Sequence, residues 1–363
     1  MKIALISSGA EPLPVLKGGS VDTYVYYLAR SLSRLGLQIS IYANKKSHIE
    51  KCKNLEFKPV QFPTTKFRKV NYLIFNLSVL YNLLKEKFDI IHTNLSTTTI
   101  FTSTFYRNIV FTSHSAYWWR SRSTHRMQIE AVKRAKAVIA ISRFIEEKMK
   151  LYRKENVFYV PNGVDVNLFK PARHDFTKTL LTVCGISRQK GLVYLVKSLK
   201  EVHKFHKDFK WLHVGPLPTK ENENYVYYLQ ILKLIKKYGL DENVTFLGRI
   251  SLRELIKIYQ RSDVFILPSL WEGMPLVIIE AMSCGLPIIS TKISGVEDLV
   301  KNNFNGILVE PKDYLAMADA ILHLLNDKNK IKSMGQNSRK RAEEEFSWQI
   351  IARKIKEVYE QIL

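Results

Sequence analysis

The chain has 363 residues, of which 46% are hydrophobic and 25% charged, a balance that supplies folded cores and excludes a disordered chain. Its formal net charge is +23, with 27 Lys+Arg against 11 Asp+Glu in residues 1–170 and 29 against 22 in the remainder. The basic excess of the first half calls for an anionic partner or surface there.

Three cysteines, Cys52, Cys184 and Cys284, lie in no paired spacing and near no His/Cys cluster, so neither a disulfide framework nor a zinc site is indicated. Met1-Lys2 runs straight into Ile3-Ala4-Leu5-Ile6, too short for a signal peptide. The longest apolar region, Val70 to Leu84, is interrupted by Asn71, Asn76 and Asn82 and falls short of a membrane span. The expected location is cytoplasmic, with peripheral attachment to the inner face of the cell membrane left open.

Lys2 to Ser8 reads as a buried strand, followed by a Gly/Pro-rich loop to Gly19 and a helix capped by Ser20. Val21, Tyr24, Val25, Leu28, Ala29, Leu32 and Leu35 recur at three and four residues, and Gly36 ends the helix. Leu37 to Tyr42 is the next strand. Further strands at Ile90 to His92, Ile109 to Ser113, Ala137 to Ile141 and Val157 to Val160 continue a parallel, doubly wound sheet. Gly18-Gly19 at the first strand-to-helix junction would admit a ligand phosphate to the backbone, or be an ordinary tight loop. His114 emerges at the same sheet edge, as a catalytic or a structural histidine.

Two clusters mix aromatic and cationic side chains: Lys66, Phe67, Arg68, Lys69 and Tyr72, and Trp118, Trp119, Arg120, Arg122, His125 and Arg126. Both suit the headgroup layer of an anionic membrane or a lipid-linked acceptor, and equally a solvated face.

Phe169-Lys170-Pro171-Ala172-Arg173 reads as a linker, dividing the chain into domains 1–170 and 171–346. The second domain repeats the βα logic, with strands at Thr179 to Cys184, Trp211 to Val214, Val244 to Leu247, Val264 to Leu267 and Ile288-Ile289. Its helices fall at Leu192 to Phe205, Tyr225 to Tyr238 and Leu252 to Arg261. After its first strand, Arg188 and Lys190 stand in a loop that opens a helix, where they would neutralise a diphosphate or simply be solvated. Residues 347–363 form an amphipathic helix through Trp348, Ile351, Ile355, Val358 and Ile362, expected to cross back to the first domain.

The stretch Asp263 to Ser290 reads strand, turn, helix, stop, with Pro275 near the helix start and Gly285 past its end. Glu272 precedes the helix and Glu280 lies inside it. With the helix N-terminus between them, the unit would hold a sugar nucleotide: Glu272 on the sugar hydroxyls, helix N–H groups on the diphosphate, Glu280 on the ribose. A strand-to-helix unit with two solvated acids fits the spacing equally well.

Taken in order, these motifs resemble the retaining GT-B glycosyltransferases that use nucleotide sugars, the group that contains sucrose synthases, bacterial-type glycogen synthases and phosphatidylinositol mannosyltransferases. The resemblance rests on SLWEGMPLVIIEAMSCGLPII, then Ser294 to Val300 and Asn305 to Val309, supported by Gly18-Gly19, His114, Pro161 to Asp165 and Lys190-Gly191. It implies an α/β chain of two doubly wound Rossmann-like domains facing across a cleft, closing about a hinge near Phe169 to Arg173. It implies catalytic roles for Glu272, His114, Lys190 and Arg188, and donor binding by Gly18, Gly19, Gly273, Met274, Pro275, Leu276 and Glu280. One departure concerns Arg188: the family commonly has Arg directly after the loop glycine, where this chain has Ile186.

No Asp-x-Asp occurs, so no metal and no further cofactor are expected beyond the nucleoside-diphosphate sugar. The expected partners are that donor, a glycan or lipid-linked acceptor and an anionic membrane surface, with no nucleic acid, since no nucleic-acid motif is present. The competing readings are a non-transferring GT-B enzyme such as a sugar-nucleotide epimerase, and a basic membrane- or nucleic-acid-binding protein.

Overall fold

In the computed structural model, the residues described are all but 11, 14–19, 48, 50, 51, 62–67, 115–121 and 174. The chain divides into two units, Met1–Gly163 with Ser347–Leu363, and Val164–Phe346.

The first unit is built from β1 (Lys2–Ile6), α1 (Ser20–Arg34), β2 (Gln38–Asn44), β3 (Leu55–Val60), α2 (Arg68–Leu83), β4 (Ile90–Thr93), α3 (Ser96–Thr102), β5 (Ile109–Ser113), α4 (Arg122–Arg134), β6 (Ala137–Ala140), α5 (Arg143–Lys150) and β7 (Val157–Tyr159). Its sheet has the order β3-β2-β1-β4-β5-β6-β7, parallel throughout. Continuous apolar runs such as Ile3-Ala4-Leu5-Ile6 are buried because helices cover both faces of such a sheet. β3, which sequence reading passes over, is an edge strand with mixed exposure. Pro59 is tolerated there because its missing N–H falls on an edge.

The second unit comprises β8 (Thr179–Val183), α6 (Leu192–Val202), β9 (Lys210–Val214), α7 (Tyr225–Lys237), β10 (Val244–Gly248), α8 (Leu252–Arg261), β11 (Val264–Leu267), α9 (Leu276–Ser283), β12 (Ile288–Thr291), β13 (Gly306–Val309), α10 (Tyr314–Leu325) and α11 (Lys328–Glu345). Its parallel sheet runs β10-β9-β8-β11-β12-β13. The chain therefore winds outward from β8 to β10, crosses back and winds outward again from β11, the doubly wound Rossmann-like order. Two such units constitute the GT-B architecture.

The chain passes between units at Gly163/Val164, ahead of the 170/171 junction expected from linker composition. Residues just beyond are bound into the second unit: Val164 N donates to Phe346 O at 2.8 Å, and Arg339 donates to the carbonyls of Val166 and Phe169 at 3.0 and 2.9 Å. After Phe346 the last helix, α12 (Trp348–Ile362), joins the core of the first unit. Trp348 stacks on Tyr27 and meets Tyr24 edge-on, and the Tyr359 hydroxyl reaches His92 Nδ1 at 2.6 Å.

Candidate active site

At the point where strand order reverses, the loops that follow the two neighbouring strands leave the carboxyl edge in opposite directions and open a crevice between them. In the second unit these are the loops after β8 and β11. They are stitched together: Leu270 N donates to Gln189 O at 2.7 Å, and Gln189 Nε2 donates to Trp271 O at 3.0 Å. Gly191, between a 3-10 turn at Arg188–Lys190 and α6, has φ +64°, and a Cβ there would lie 2.1 Å from Pro268 O. Only glycine satisfies both the left-handed backbone and that approach.

This stitching sets Lys190 Nζ 2.6 Å from Glu272 Oε1, which also accepts from Ser269 Oγ at 2.7 Å. Glu272 is only 7% exposed, and the Lys190 side chain 22%. From the far side, Ser294 Oγ donates to Glu272 O at 3.4 Å, and a Cβ on Gly295 (φ +78°) would lie 1.9 Å from Gly273 O. The Ser294-Gly295 turn thus clamps the backbone that carries Glu272.

Gly273 and Met274 lead into α9, whose N-cap is Pro275 and not, as expected, a residue of the first turn. Proline has no side chain with which to cap: Ile278 N turns back to Pro275 O at 3.2 Å, and the N–H groups of Leu276 and Val277 are left to an external acceptor. The helix stops as its sequence demands: Leu286 N bonds Ala281 O and Gly285 N bonds Met282 O, with Gly285 at φ +80°.

Within α9, Glu280 Oε2 accepts from the hydroxyl of fully buried Tyr259 at 2.9 Å. Its surroundings are dry enough that burial pushes the carboxyl up to about 7, against the opposing pull of that hydroxyl. The folded state thus holds this proton up to about 7, whereas the unfolded chain releases it near 4.5. Stability contributed by Glu280 is therefore full at low pH and declines as pH rises through that window.

Arg188 goes elsewhere. It is exposed, with its guanidinium over the Tyr227 ring at 5.5 Å, while Ile186 is buried in the core. Cys184, buried at the end of β8, has its thiol pushed up to about 12 by burial, which leaves it an inert neighbour.

In the first unit the reversal lies between β1 and β4. His114 follows β5, and its Nε2 meets Asn94 Oδ1 at 2.9 Å, while Asn94 Nδ2 donates to Ile6 O at 2.9 Å. Because the Asn94 amide is oriented by that donation, its oxygen faces His114, and Nε2 must carry the proton. Burial pushes the imidazole down to about 3, so the ring is neutral with Nδ1 bare. On α1, Asp22 accepts from Ser8 N and Ser8 Oγ at 2.8 and 2.5 Å, anchoring the loop after β1. Gly18 and Gly19 lie outside the described residues, as do Lys66, Phe67, Trp118, Trp119 and Arg120. Among the described residues no group of three or more His, Cys, Asp or Glu could hold a metal ion.

Residues 165–341 match the family described as glycosyl transferases group 1, and residues 18–168 match Glycosyltransferase Family 4. The UDP-Gal:alpha-D-GlcNAc-diphosphoundecaprenol alpha-1,3-galactosyltransferase of Escherichia coli is 30% identical over 318 residues, 78% of each chain. The chain belongs to the group 1 glycosyltransferases. This glycosyltransferase is also 25% identical, over 99% of both chains, to spore coat protein SA of Bacillus subtilis. In fold it is similar to sucrose-phosphate synthase of Thermosynechococcus elongatus (TM-score 0.85, 24% identity, 100% and 99% of the two chains covered). HepE of Anabaena, solved with UDP and glucose, gives a TM-score of 0.79 at 21% identity over 99% of each chain.

Sequence reading of the glycosyltransferase missed Ser269, Gln189, Tyr259 and Asn94. Ser269 stands three residues before Glu272 and Gln189 directly before Lys190, both available signals; Tyr259 and Asn94 act from separate elements and leave no local trace. For Gly191→Ala, the left-handed backbone and the Pro268 carbonyl predict a loss of roughly 1–3 kcal/mol in thermal or urea unfolding. An unchanged melting temperature would show that the two loops separate freely.

Proposed function

We propose that the enzyme transfers a sugar from a nucleoside-diphosphate sugar to an acceptor hydroxyl, with retention at the anomeric carbon and without a metal. The observation that carries this reading is the Lys190–Glu272 pair, a cation and a carboxylate at 2.6 Å beside the uncapped start of α9. Glu272 would accept hydrogen bonds from the donor sugar, Lys190 and the N–H groups of Gly273, Met274 and Leu276 would meet the diphosphate, and Glu280 would accept from the ribose hydroxyls. His114, with its bare Nδ1, would accept from a donor-sugar hydroxyl. Arg188 would have to leave Tyr227 to reach the phosphates, and so is assigned a secondary part.

In this reading the bond from the anomeric carbon to the diphosphate breaks and a bond from that carbon to the acceptor oxygen forms on the same face. The acceptor's proton passes to the departing phosphate oxygen. Lys190 and the helix N–H groups stabilise charge where it accumulates, the role that an Asp-x-Asp-bound metal would otherwise fill. The Escherichia coli relative's name specifies a UDP-linked galactose and a diphosphoundecaprenol-linked acceptor, and HepE holds UDP, which favours testing UDP-sugars first. Release of nucleoside diphosphate from a panel of UDP- and GDP-sugars, with and without lipid-linked and soluble acceptors, tests the proposal. Turnover that needs both donor and acceptor, with the anomeric configuration of the product unchanged, is expected; release that ignores the acceptor, or an inverted product, would contradict it.

If Glu280 binds ribose as a carboxylate, affinity for a nucleoside diphosphate should rise with pH towards about 7 and then level off. Below that point it should fall by up to about tenfold per unit. Calorimetric titration across this range should give a flatter profile for Glu280→Gln, and the same slope in both proteins would refute the assignment.

A further inference from the structure

Helix α2 is apolar on both faces. Its asparagines turn inward: Asn71 and Asn76 are buried, Asn76 Nδ2 donates to Tyr72 O at 2.8 Å, and Asn76 Oδ1 accepts from Thr98 Oγ1 at 2.7 Å. Phe75, Val79 and Leu83 complete the buried face. Val70, Leu73, Ile74, Leu77, Tyr81 and Leu84 face outward, with Leu73 at 52%, Tyr81 at 64% and Leu84 at 60% exposure. At 100° per residue these six form a stripe about 100° wide and roughly 21 Å long on one side of the helix and its C-terminal turn. Scattered exposed apolar residues need no explanation, but a continuous helical stripe marks an interaction surface.

We infer that this stripe is the membrane-binding face of the enzyme, lying flat in the interface of an anionic lipid leaflet. Charge decides the occupant. α2 carries no acidic residue, and it is bounded in sequence by Arg68 and Lys69 at its start and by exposed Lys85 and Lys87 just past its end. The acids that follow it are already engaged: Glu86 by Lys2 and Lys58, and Asp89 by the backbone N–H of Lys2. A second copy of the chain would bring the same cations face to face, whereas anionic headgroups would neutralise them. Sixteen residues of α2 cannot cross a bilayer, and no helix among the described residues is long and apolar enough to do so.

The helix also reaches the loop after β1. A Cβ on Gly9, at φ +72°, would lie 2.2 Å from the Phe75 ring, so the inner face of α2 seats directly on that loop. Lipid binding along α2 would therefore hold the carboxyl edge of the first unit near the bilayer surface, where an acceptor carried on a lipid resides. The inference stands on α2 and does not require the donor chemistry proposed above.

Flotation of the full chain with vesicles of equimolar phosphatidylglycerol and phosphatidylcholine tests it. The wild type should float at low salt and much less at high salt. The variant L73S/I74S/L77S should lose roughly tenfold or more of its vesicle partitioning with an unchanged melting temperature, since the replaced side chains are exposed. Should that variant fold poorly, K85E/K87E, which leaves the apolar stripe intact, should also weaken binding to anionic vesicles. No flotation of the wild type, or equal flotation of wild type and both variants, would overturn the inference. So would a concentration-dependent dimer that L73S/I74S/L77S abolishes, since the stripe would then belong to a second copy.

Discussion

Glu272→Ala should lower kcat/KM for sugar transfer by about 10²–10³-fold, roughly 2.7–4 kcal/mol of transition-state stabilisation, while the protein stays folded. The carboxylate is nearly buried and its geometry is imposed from three sides: Lys190 Nζ at 2.6 Å, Ser269 Oγ at 2.7 Å and the clamp of Ser294-Gly295 on its backbone. Such a fixed acceptor serves a substrate that needs orientation, because holding it ready costs no rearrangement during reaction. Removing it frees Lys190, whose partly exposed ammonium can rehydrate, so the stability change should stay near 1 kcal/mol. Steady-state kinetics beside a thermal melt check both halves. Glu272→Gln, which keeps the shape but not the charge, should retain an intermediate activity; near-normal turnover of Glu272→Ala would remove the residue from the mechanism.

Lys190→Ala should be equally damaging to turnover and more damaging to the fold. It removes the cation proposed for the diphosphate and deprives the buried Glu272 carboxylate of its counter-charge. Truncating one member of a buried pair costs more than the pair contributes, because the other charge stays desolvated. Ser269 still donates to Glu272, so the expected loss is about 1–3 kcal/mol rather than more. The asymmetry is the diagnostic: Lys190→Ala should melt lower than Glu272→Ala, and the double variant should recover part of the loss, a coupling of roughly 0.5–3 kcal/mol. Additive losses in the double variant would mean that the 2.6 Å contact contributes nothing. Lys190→Arg should restore activity only in part, since a planar fork does not reproduce a single-point ammonium contact.

Much of this architecture is legible from residues alone. Val264 to Leu267 is a strand to the residue, α8 matches Leu252 to Arg261, and Gly285 stops α9 where its backbone permits. The strands are legible because burial on both faces demands unbroken apolar runs. β3 is illegible for the opposite reason: Glu56, Lys58 and Pro59 fit an edge, which leaves no such run. Arg188 and Lys190 read as one cationic pair, but a 3-10 turn advances about 120° per residue, so positions two apart point in different directions. One meets Glu272 and the other Tyr227. For α2, periodicity groups residues by face and is silent on which face the fold covers, so Asn71 and Asn76 read as interruptions when they are buried on the inner face.

On the function proposed above, the crevice between the β8 and β11 loops binds a nucleoside diphosphate through Lys190 and the start of α9. Calorimetric titration of UDP and GDP into the wild type and Lys190→Ala tests it most directly. Saturable one-site binding to the wild type, weakened about tenfold or more in Lys190→Ala, is the predicted result. Binding of neither nucleotide, or the same affinity in both proteins, would contradict it.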